Sequence, residues 1–180
     1  ILNTVFKGQG EIAYGPFRKA SWVYNPDIAT PYDPQKAKQL LANAGFKEDS
    51  DGIMEKDGKK LEFDLLYLSN SPERKDIAIA ASTDLDKVGI KADLVGKGSD
   101  EMTVEMWHHP IVRGGGNPMD PDNYNYKEFN SKFINNGYWN LASYSNPEVD
   151  KLLEEGRITF DKDKRKQIYQ KFQSIVADDQ

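Results

Sequence analysis

The spacing of hydrophobic residues predicts a helix and a β-hairpin in the first third of the chain. Asp33 followed by Pro34 is typical of a helix start, and hydrophobic residues then recur at helical spacing until Gly45. Two short runs with strand character stand on either side of Asp57 and Gly58, a dipeptide that favours the tight turn of a hairpin because both positions need a positive φ. This region is therefore predicted to contain a helix followed by a β-hairpin.

A strand, a helix and a second strand follow with short connections. Hydrophobic and polar residues alternate at the start of residues 61–68 and then become uniformly hydrophobic, as in a strand that enters a covered sheet. Ser71 and Pro72 begin a helix that ends at Gly89, and residues 90–95 form the next strand. Because such crossovers are right-handed in nearly all proteins, the two strands should be parallel. The predicted fold class is α/β, with a mixed sheet flanked by helices.

The second half of the chain is less regular. Residues that favour strands recur over 103–113, although Pro110 limits this strand to the edge of a sheet. Residues 114–146 are rich in glycine, asparagine and aromatic side chains, and this composition is typical of a long loop. Two final helices are predicted, the first running from Pro147 to Gly156 and the second containing residues 168–176.

Composition and charge narrow the classes of function. The 180 residues, of 20.4 kDa, suffice for one domain, and 24 basic against 29 acidic residues give a net charge of −5. Lys and Arg form no dense cluster, so we expect no nucleic-acid partner. No stretch approaches the roughly 18 uninterrupted hydrophobic residues of a membrane span, and direct membrane insertion is not expected. The lack of cysteine excludes thiolate metal sites and a cysteine nucleophile.

The beginning of the chain has a composition of its own. Residues 1–32 are rich in glycine, proline and aromatic side chains and show little periodicity of either kind. We interpret them as an opening segment in front of an α/β lobe at residues 33–180, the two together forming a single domain. Because the chain starts on Ile1 with neither a Met nor a helix cap, we expect it to be a fragment of a longer protein.

Few residues offer catalytic chemistry. His108 and His109 are the only histidines, and no Gly-x-Ser-x-Gly motif presents a serine, so acyl transfer is not expected. The three glycines at 114–116 lack the Lys-Ser/Thr pair of a phosphate-binding loop, and we expect no cofactor. A metal-assisted hydrolase that uses both histidines and Asp120 is one alternative, which requires ligand distances of about 2.0–2.2 Å to zinc.

The best candidates for ligand binding lie at residues 113–120. Arg113 presents a planar fork that suits a carboxylate, whereas Asp120 can accept an ammonium group or a metal. Asn117 lies between them. An alternative is that Arg113 and Asp120 pair with each other and close the neck of a loop. The residues that follow supply the amides and aromatic rings that ligand-binding loops use.

Six blocks of sequence occur in the order found in one known family and cover nearly all 180 residues. They are Leu2-Asn3 with Gly8, Gly10 and Gly15-Pro16; Tyr32-Asp33-Pro34 with Ala37, Leu40-Leu41 and Ala44-Gly45-Phe46; Gly58-Lys59; Leu85 with Val88-Gly89-Ile90; Asp120-Pro121-Asp122-Asn123-Tyr124; and Tyr144-Ser145-Asn146-Pro147-Glu148-Val149-Asp150-Lys151-Leu152. The chain thereby resembles the family 5 extracellular solute-binding proteins, the peptide- and nickel-binding components of bacterial ABC transporters.

The resemblance implies a fold and a mechanism. Family members are about three times as long, with two lobes that close about a hinge, and this chain resembles only lobe II of such a class II periplasmic binding protein. A solute would be captured by closure of the lobes, without chemistry, and then passed to an ABC permease. The expected partners are an oligopeptide, dipeptide or nickel chelate, the permease, and the missing first lobe. One lobe alone should bind weakly, with a Kd of about 1 mM or higher.

The resemblance also assigns ligand contacts. Aligned on Asp120 and Pro121, Asn117 takes the position at which peptide-binding members carry an Asp for the amino terminus of the ligand. Arg113 resembles the arrangement of nickel-binding members, in which an arginine meets the carboxylates of a chelator. For Trp139, packing in the core is the alternative to a ligand contact. The expected ligand-binding residues are Trp107, Arg113, Asn117, Asp120, Trp139 and Asn140.

Two further expectations concern location and a competing function. The resemblance implies a protein on the extracellular face of a bacterial membrane or in a periplasm, with a lipid anchor on the full-length chain. The competing hypothesis is a protein interaction or dimerisation module that uses the exposed aromatic residues of loop 114–146. Such a module predicts a mass that depends on concentration, whereas a capture lobe predicts effects of a small solute.

Overall fold

A computed structural model describes residues 1–112 and 120–179, which form two compact units. Unit 1 consists of Ile1–Glu11 and Pro31–Gly114, and unit 2 consists of Ile12–Thr30 and Gly115–Gln180. Packing thus divides the opening segment between the two units, whereas the sequence alone suggested a boundary after residue 32. That the chain is one domain of a two-lobed protein stays a prediction.

Unit 1 combines two small sheets with three helices among its described residues. Its elements are α1 (Pro34–Asn43), β1 (Lys47–Glu48), β2 (Met54–Lys56), β3 (Lys59–Lys60), β4 (Glu62–Leu68), α2 (Pro72–Asp86), β5 (Lys91–Lys97), α3 (Ser99–Glu105) and β6 (Ile111–Val112). Strands β1, β2 and β3 form an antiparallel sheet in that order. Strand β4 lies between β5 and β6 and is parallel to both. The mixed α/β class expected from the sequence is confirmed.

Local signals explain where the elements of unit 1 begin and turn. The Asp33 carboxylate accepts a hydrogen bond from the backbone N–H of Lys36, as expected of the residue that caps α1. The hairpin between β2 and β3 turns at Asp57 and Gly58, whose φ angles are 53° and 74°. The predicted helix and hairpin are both confirmed.

The core of unit 1 lies between α2 and the parallel sheet. Leu65, Ala78 and Ala92, contributed by β4, α2 and β5, are buried together there. The pairing of β4 with β5 extends over seven residues of each strand, from Glu62 opposite Lys91 onwards. This is the predicted strand-helix-strand unit, and its parallel register is confirmed.

The strand predicted over residues 103–113 is wrong in its first part. Helix α3 extends to Glu105, and strand β6 begins only at Ile111. The backbone N–H of Gly98 donates to the Glu101 carboxylate at 3.1 Å, a capping contact that favours a helix start over a strand. Pro110 lacks an N–H, but its carbonyl accepts from the backbone N–H of Leu66, which agrees with the predicted edge position.

Unit 2 is helical in its described residues. It contains α4 (Asn125–Phe129), α5 (Pro147–Ile158) and α6 (Lys162–Asp178), with 3₁₀ turns at Pro26–Ile28 and Ser131–Phe133. Helix α5 continues past its predicted end at Gly156, which is buried against the ring of Tyr169, where a Cβ atom would lie 2.9 Å from ring carbons. This glycine therefore permits close packing of α5 on α6 rather than ending the helix. Across the described ranges, no helix combines the length and apolar character needed to cross a bilayer.

Polar contacts fasten the first residues of unit 2 to α6. The backbone N–H of Asn25 donates to Gln173 Oε1 at 3.2 Å, and Gln173 Nε2 donates to the Val23 carbonyl at 2.8 Å. Asn25 Nδ2 also donates to Ser174 Oγ at 2.9 Å. Next to these contacts, Phe17 packs edge-on against Tyr169 with ring centroids 6.1 Å apart. Val23 and Tyr169 are fully buried in the core of the unit.

Candidate functional site

The structure locates four of the six residues predicted to bind a ligand. Arg113 and Asn117 lie outside the described residues. Trp107 is half-buried in the turn that follows α3 in unit 1. The remaining three belong to unit 2 and have different environments, described below: Asp120, Trp139 and Asn140.

The carboxylate of Asp120 is bound by Arg165 of helix α6. Asp120 Oδ1 accepts from Nη2, and Oδ2 accepts from Nη1, both at 3.1 Å. Oδ1 also accepts from the backbone N–H of Asp122 at 2.8 Å. This is the two-pronged pairing that a guanidinium makes with a carboxylate. Asp120 thus fixes the turn that leads into α4.

Arg165 is itself held in place on three sides. Its Nε donates to the carbonyl of Gly156 at 2.7 Å, and its guanidinium carbon lies 5.5 Å from the ring centroid of Tyr169 and 6.0 Å from that of Trp22. Burial has the largest single effect on the pKa of the Asp120 carboxyl and raises it, but the hydrogen bonds from Arg165 and from the Asp122 backbone, together with the Arg165 charge, lower this pKa below its ordinary value. Asp120 therefore remains ionised at neutral pH.

A second arginine supports the same turn. The guanidinium carbon of Arg157 lies 3.9 Å from the ring centroid of Tyr126, and its Nε lies 3.3 Å from Asp122 Oδ1, a charge contact without hydrogen-bond geometry. Burial raises the pKa of the Asp122 carboxyl above its ordinary value, against the lowering effect of Arg157. The Tyr126 hydroxyl donates to Glu154 at 2.8 Å, which links α4 to α5.

An aromatic surface lies beside this supported turn. The rings of Tyr124 and Trp139 have centroids 5.6 Å apart and planes inclined by 53°, and Lys127 Nζ lies 4.7 Å from the centroid of the Trp139 ring. Tyr124 is exposed and Trp139 is half-buried. We call Tyr124, Lys127 and Trp139 together the aromatic surface. It has polar and apolar groups side by side, as ligand-binding surfaces do.

Asn140 has a structural position. Its side chain is 2% exposed, Nδ2 donates to the carbonyls of Asn130 and Tyr144, and Oδ1 accepts from the backbone N–H of Tyr144. Its φ angle of 44° lies in the left-handed region that asparagine tolerates better than most residues. The amide is fully occupied in holding the loop that carries Trp139. We therefore do not include Asn140 among the ligand-binding residues proposed below.

The two histidines do not form a metal site with acidic groups in the described part of the chain. His108 is exposed and His109 is half-buried, both in the turn region after α3. Over residues 1–112 and 120–179, no three His, Cys, Asp or Glu side chains come together in a way that could hold a metal ion.

Sequence reasoning missed Tyr124, Lys127 and Arg165. For Arg165 a signal was present, because it is four residues before the buried Tyr169 and so shares its face of helix α6. Tyr124 belongs to the Asp120–Tyr124 block, which carries the family resemblance but gives no signal of a contact with the Trp139 ring. The proximity of Lys127 to Trp139 depends on how α4 and the loop fold, and no local pattern signals it.

The chain belongs to the bacterial extracellular solute-binding proteins, family 5 (Middle), whose family model matches residues 1–153. The members of this family are solute-binding proteins, as the sequence blocks predicted. Among curated relatives, the oligopeptide-binding protein AppA of Bacillus subtilis is 35% identical over 189 residues. That match covers 100% of this chain and 34% of AppA, so the chain spans about a third of the length of this relative.

Solved structures of similar proteins agree with the fold. B. subtilis AppA in complex with a nonapeptide superposes with a TM-score of 0.89 at 34% identity, covering 99% of this chain and 37% of AppA. NikZ of Campylobacter jejuni in complex with Ni(L-His) also gives a TM-score of 0.89, at 30% identity, covering 98% of this chain and 36% of NikZ. The fold is that of the class II periplasmic binding proteins.

Proposed function

We propose that this chain is part of the solute-binding component of an ABC importer and contributes to the capture of an oligopeptide. The match to AppA, which is named an oligopeptide-binding protein, spans the whole chain. A binding protein needs a rigid surface that offers both apolar and polar contacts, and unit 2 has one in the aromatic surface. The observation that carries the proposal is the contact between the Tyr124 and Trp139 rings, which stays partly open to solvent while the buried Asn140 amide holds the loop that carries Trp139.

Capture requires no chemical step. Rings held in a fixed arrangement lose little conformational freedom when a ligand packs on them, so more of the contact energy is retained as affinity. In the proposed mechanism the other lobe completes the site when the two lobes close about the solute. Asp120, Trp107, Arg113 and Asn117 remain proposed ligand contacts. The Asp120 carboxylate can accept a ligand ammonium only alongside its hydrogen bonds with Arg165.

A nickel chelate is the second candidate solute. The superposition on NikZ bound to Ni(L-His) has the same TM-score, 0.89, as the superposition on peptide-bound AppA. A chelate of this kind brings its own ligands to the metal, so it can be bound through the carboxylate and imidazole of the chelator. This candidate predicts that nickel binds only together with histidine.

Partners and location follow from the same proposal. The solute-loaded protein would be recognised by an ABC permease, on the extracellular face of a bacterial membrane or in a periplasm, with a lipid anchor on the full-length chain. The competing function, a protein interaction module, draws on Tyr138, which is 58% exposed beside Trp139. Sedimentation velocity of the full-length protein separates the two, because only a dimerisation module predicts a mass that rises with concentration.

Isothermal titration calorimetry tests the proposal on the full-length protein, after bound solute has been removed by unfolding and refolding. The titrants are a series of peptides of two to nine residues, nickel chloride, and nickel with L-histidine. We expect a Kd of about 1 μM or lower for peptides in part of this length range. If nickel with histidine binds and no peptide does, the solute is a nickel chelate, the second candidate. If no titrant binds, both candidate solutes are contradicted.

A variant pair links this binding to the aromatic surface. Trp139→Ala removes the ring and should weaken peptide binding by about tenfold or more. Phe160→Ala is the matched control, because Phe160 is an aromatic residue of the same unit that is 99% exposed and lies outside the aromatic surface. Equal affinities for the two variants would contradict a role for Trp139 in binding.

A further inference from the structure

We propose that Lys127 binds a carboxylate group of the solute while the Tyr124 and Trp139 rings pack against the neighbouring part of the same molecule. This inference rests on the proposed function and adds a chemical class to it, since it predicts that the captured solute has an anionic carboxylate. The residues come from helix α4, from the turn before it and from the loop that follows.

The position of the Lys127 ammonium group is the first observation. Its nitrogen lies 4.7 Å from the Trp139 ring centroid, next to a ring pair whose centroids are 5.6 Å apart. An ammonium group has three N–H donors, and contact with a ring face leaves donors free for an anion on the outer side. A carboxylate bound there would lie on the side of the ammonium group that faces away from the Trp139 ring.

The charge of Lys127 is the second observation. Three of the other lysines of unit 2 form ion pairs with glutamates: Lys132 with Glu154, Lys164 with Glu155, and Lys171 with Glu148. Among the residues that the structure describes, the contact of Lys127 is an aromatic ring, and no carboxylate lies within ion-pair distance of it. Its positive charge is therefore available to an anionic group of a solute.

Rigid support of the three side chains is the third observation. Asn125, buried at the start of α4, donates from Nδ2 to the Pro121 carbonyl at 2.9 Å. The neighbouring Tyr126 hydroxyl donates to Glu154, and the buried Asn140 holds the loop next to Trp139. Helix α4 and the loop are thus each fixed by buried or half-buried hydrogen bonds. The backbone positions of the three residues are therefore already ordered before a solute binds.

These observations favour a carboxylate over other groups. The aromatic rings offer contact to an apolar or planar group, and the lysine offers one positive charge beside the Trp139 ring, so a group that is anionic on one side and apolar on the other matches the surface. The carboxyl terminus of a peptide beside an apolar side chain has this chemistry, and an acidic side chain beside an apolar one has it too.

The test varies both the side chain at position 127 and the carboxylate of the peptide, and it measures the binding affinity of each combination. The full-length protein is titrated with three pentapeptides: Ala-Ala-Ala-Ala-Phe as the free acid, the same peptide as its C-terminal amide, and Ala-Ala-Ala-Glu-Phe amide. Each is measured against the wild type and against Lys127→Met, which keeps the length of the side chain and removes its charge. Lys127→Arg retains the charge, and Lys166→Met, which removes an exposed lysine of the same unit, is the control for loss of one positive charge.

We expect the wild type to bind the free acid about tenfold more tightly than the amide, because a charge-assisted hydrogen bond is lost with the carboxylate. Lys127→Met should bind the acid about tenfold more weakly and no longer distinguish acid from amide, whereas Lys127→Arg and Lys166→Met should still distinguish them. If the glutamate-containing amide recovers the affinity, a side-chain carboxylate can replace the peptide terminus, and otherwise the site is specific for the terminus; either result supports the inference.

Two other outcomes would contradict the proposed role of Lys127. An acid-to-amide ratio that is the same in the wild type and in Lys127→Met overturns the role of Lys127 but leaves peptide capture in place. Absence of binding heat with all three probes in the wild type, together with failure of the longer peptide series, overturns the proposed function and this inference with it.

Discussion

Arg165 and Asp120 are 45 positions apart in the sequence and share two parallel hydrogen bonds of 3.1 Å. The Arg165 side chain is 18% exposed, whereas that of Asp120 is 55% exposed. The two partners therefore differ in what they contribute. Arg165 joins helix α6 to the end of α5 and to the turn before α4, while Asp120 mainly completes the set of acceptors around the guanidinium.

The first prediction compares removal of each partner. Arg165→Ala should lower the free energy of unfolding by about 2–3 kcal/mol, because the hydrogen bond to the Gly156 carbonyl and the packing against Tyr169 and Trp22 are lost together. Asp120→Asn should cost about 1 kcal/mol or less, since its carboxylate is largely hydrated. Urea denaturation of the purified protein, monitored by circular dichroism, measures both.

Arg165→Lys serves as the control for charge. A lysine cannot make two parallel hydrogen bonds or donate to Gly156 in the same geometry, so this variant should be destabilised nearly as much as Arg165→Ala. Full stability of Arg165→Lys would show that charge alone matters and that the planar fork has no special role.

The second prediction concerns acid pH. The hydrogen bond from the Lys132 ammonium, followed by that from the Tyr126 hydroxyl, lowers the pKa of Glu154 below its ordinary value. A carboxyl with a lowered folded-state pKa contributes stability at neutral pH and loses it as the pH falls through that pKa. Glu154→Gln should therefore reduce the loss of stability between about pH 5 and pH 3 relative to the wild type.

Chemical denaturation at several pH values measures this slope. Glu155→Gln removes a carboxylate from the next position of the same helix, 3.4 Å from Lys164, and controls for loss of one surface charge. If both variants have the same pH dependence as the wild type, Glu154 does not contribute to acid sensitivity.

The third prediction separates backbone strain from crowding at two glycines of unit 1. Gly58 and Gly89 have φ angles of +74° and +78°, but a Cβ at Gly58 would meet no atom within 4 Å. At Gly89 it would lie 2.9 Å from Met54 Cγ and 3.0 Å from the Gly52 carbonyl oxygen. Gly58→Ala should cost about 1 kcal/mol for the left-handed backbone, and Gly89→Ala about 2–4 kcal/mol.

Thermal unfolding of the two variants and the wild type tests the difference. The comparison is direct because the strain of the backbone is nearly the same at both positions, so the excess at Gly89 reports the crowding. Equal losses of stability would mean that Met54 and the chain at Gly52 move aside at little cost.

The fourth prediction concerns the buried amide of Asn140. Asn140→Ala should lower the free energy of unfolding by about 2–4 kcal/mol, because it leaves the Tyr144 N–H and two carbonyls without their partner. Asn140→Asp retains the acceptor oxygen but loses both donors, and it should also destabilise the protein. Urea denaturation measures both losses, and calorimetry at a temperature at which the variants remain folded shows whether peptide affinity falls as well.

A structural role and a ligand contact give different results at this position. If Asn140 only holds the loop, added osmolyte that restores the fold should also restore binding. Binding that stays lost in a fully folded Asn140→Ala protein would instead favour the original expectation of a direct ligand contact.

The helix starts show why much of this fold could be predicted from the sequence. The cap residues Asp33, Ser71 and Asn146 each accept a hydrogen bond from a backbone N–H two or three positions later, and each stands directly before a proline. Such contacts are determined within one turn of the chain. The turn at Asp57 and Gly58 is equally local. The parallel pairing of β4 and β5 then follows from the helix between them, because a strand-helix-strand crossover usually joins parallel strands.

The candidate site depends on contacts that the sequence does not encode locally. Arg165 meets Asp120 across 45 positions, and the rings of Tyr124 and Trp139 meet only after α4 and the following loop have folded. The helix at Ser99–Glu105 was missed for another reason. Hydrophobic residues farther along favoured a strand, whereas the capping contact between Gly98 and Glu101 and the acidic first turn favoured a helix.

The link between Asn25 and Gln173 has a consequence for the order of events during synthesis. These residues are 148 positions apart, which corresponds to roughly 7–30 s of translation at ordinary elongation rates. Until α6 has been made, Phe17 and Val23 lack the helix on which they pack, and their hydrophobic side chains remain open to chaperones or to other nascent chains. Assembly of unit 2 is therefore a late step, and a ribosome that stops before Gln173 releases a chain with a hydrophobic segment still uncovered.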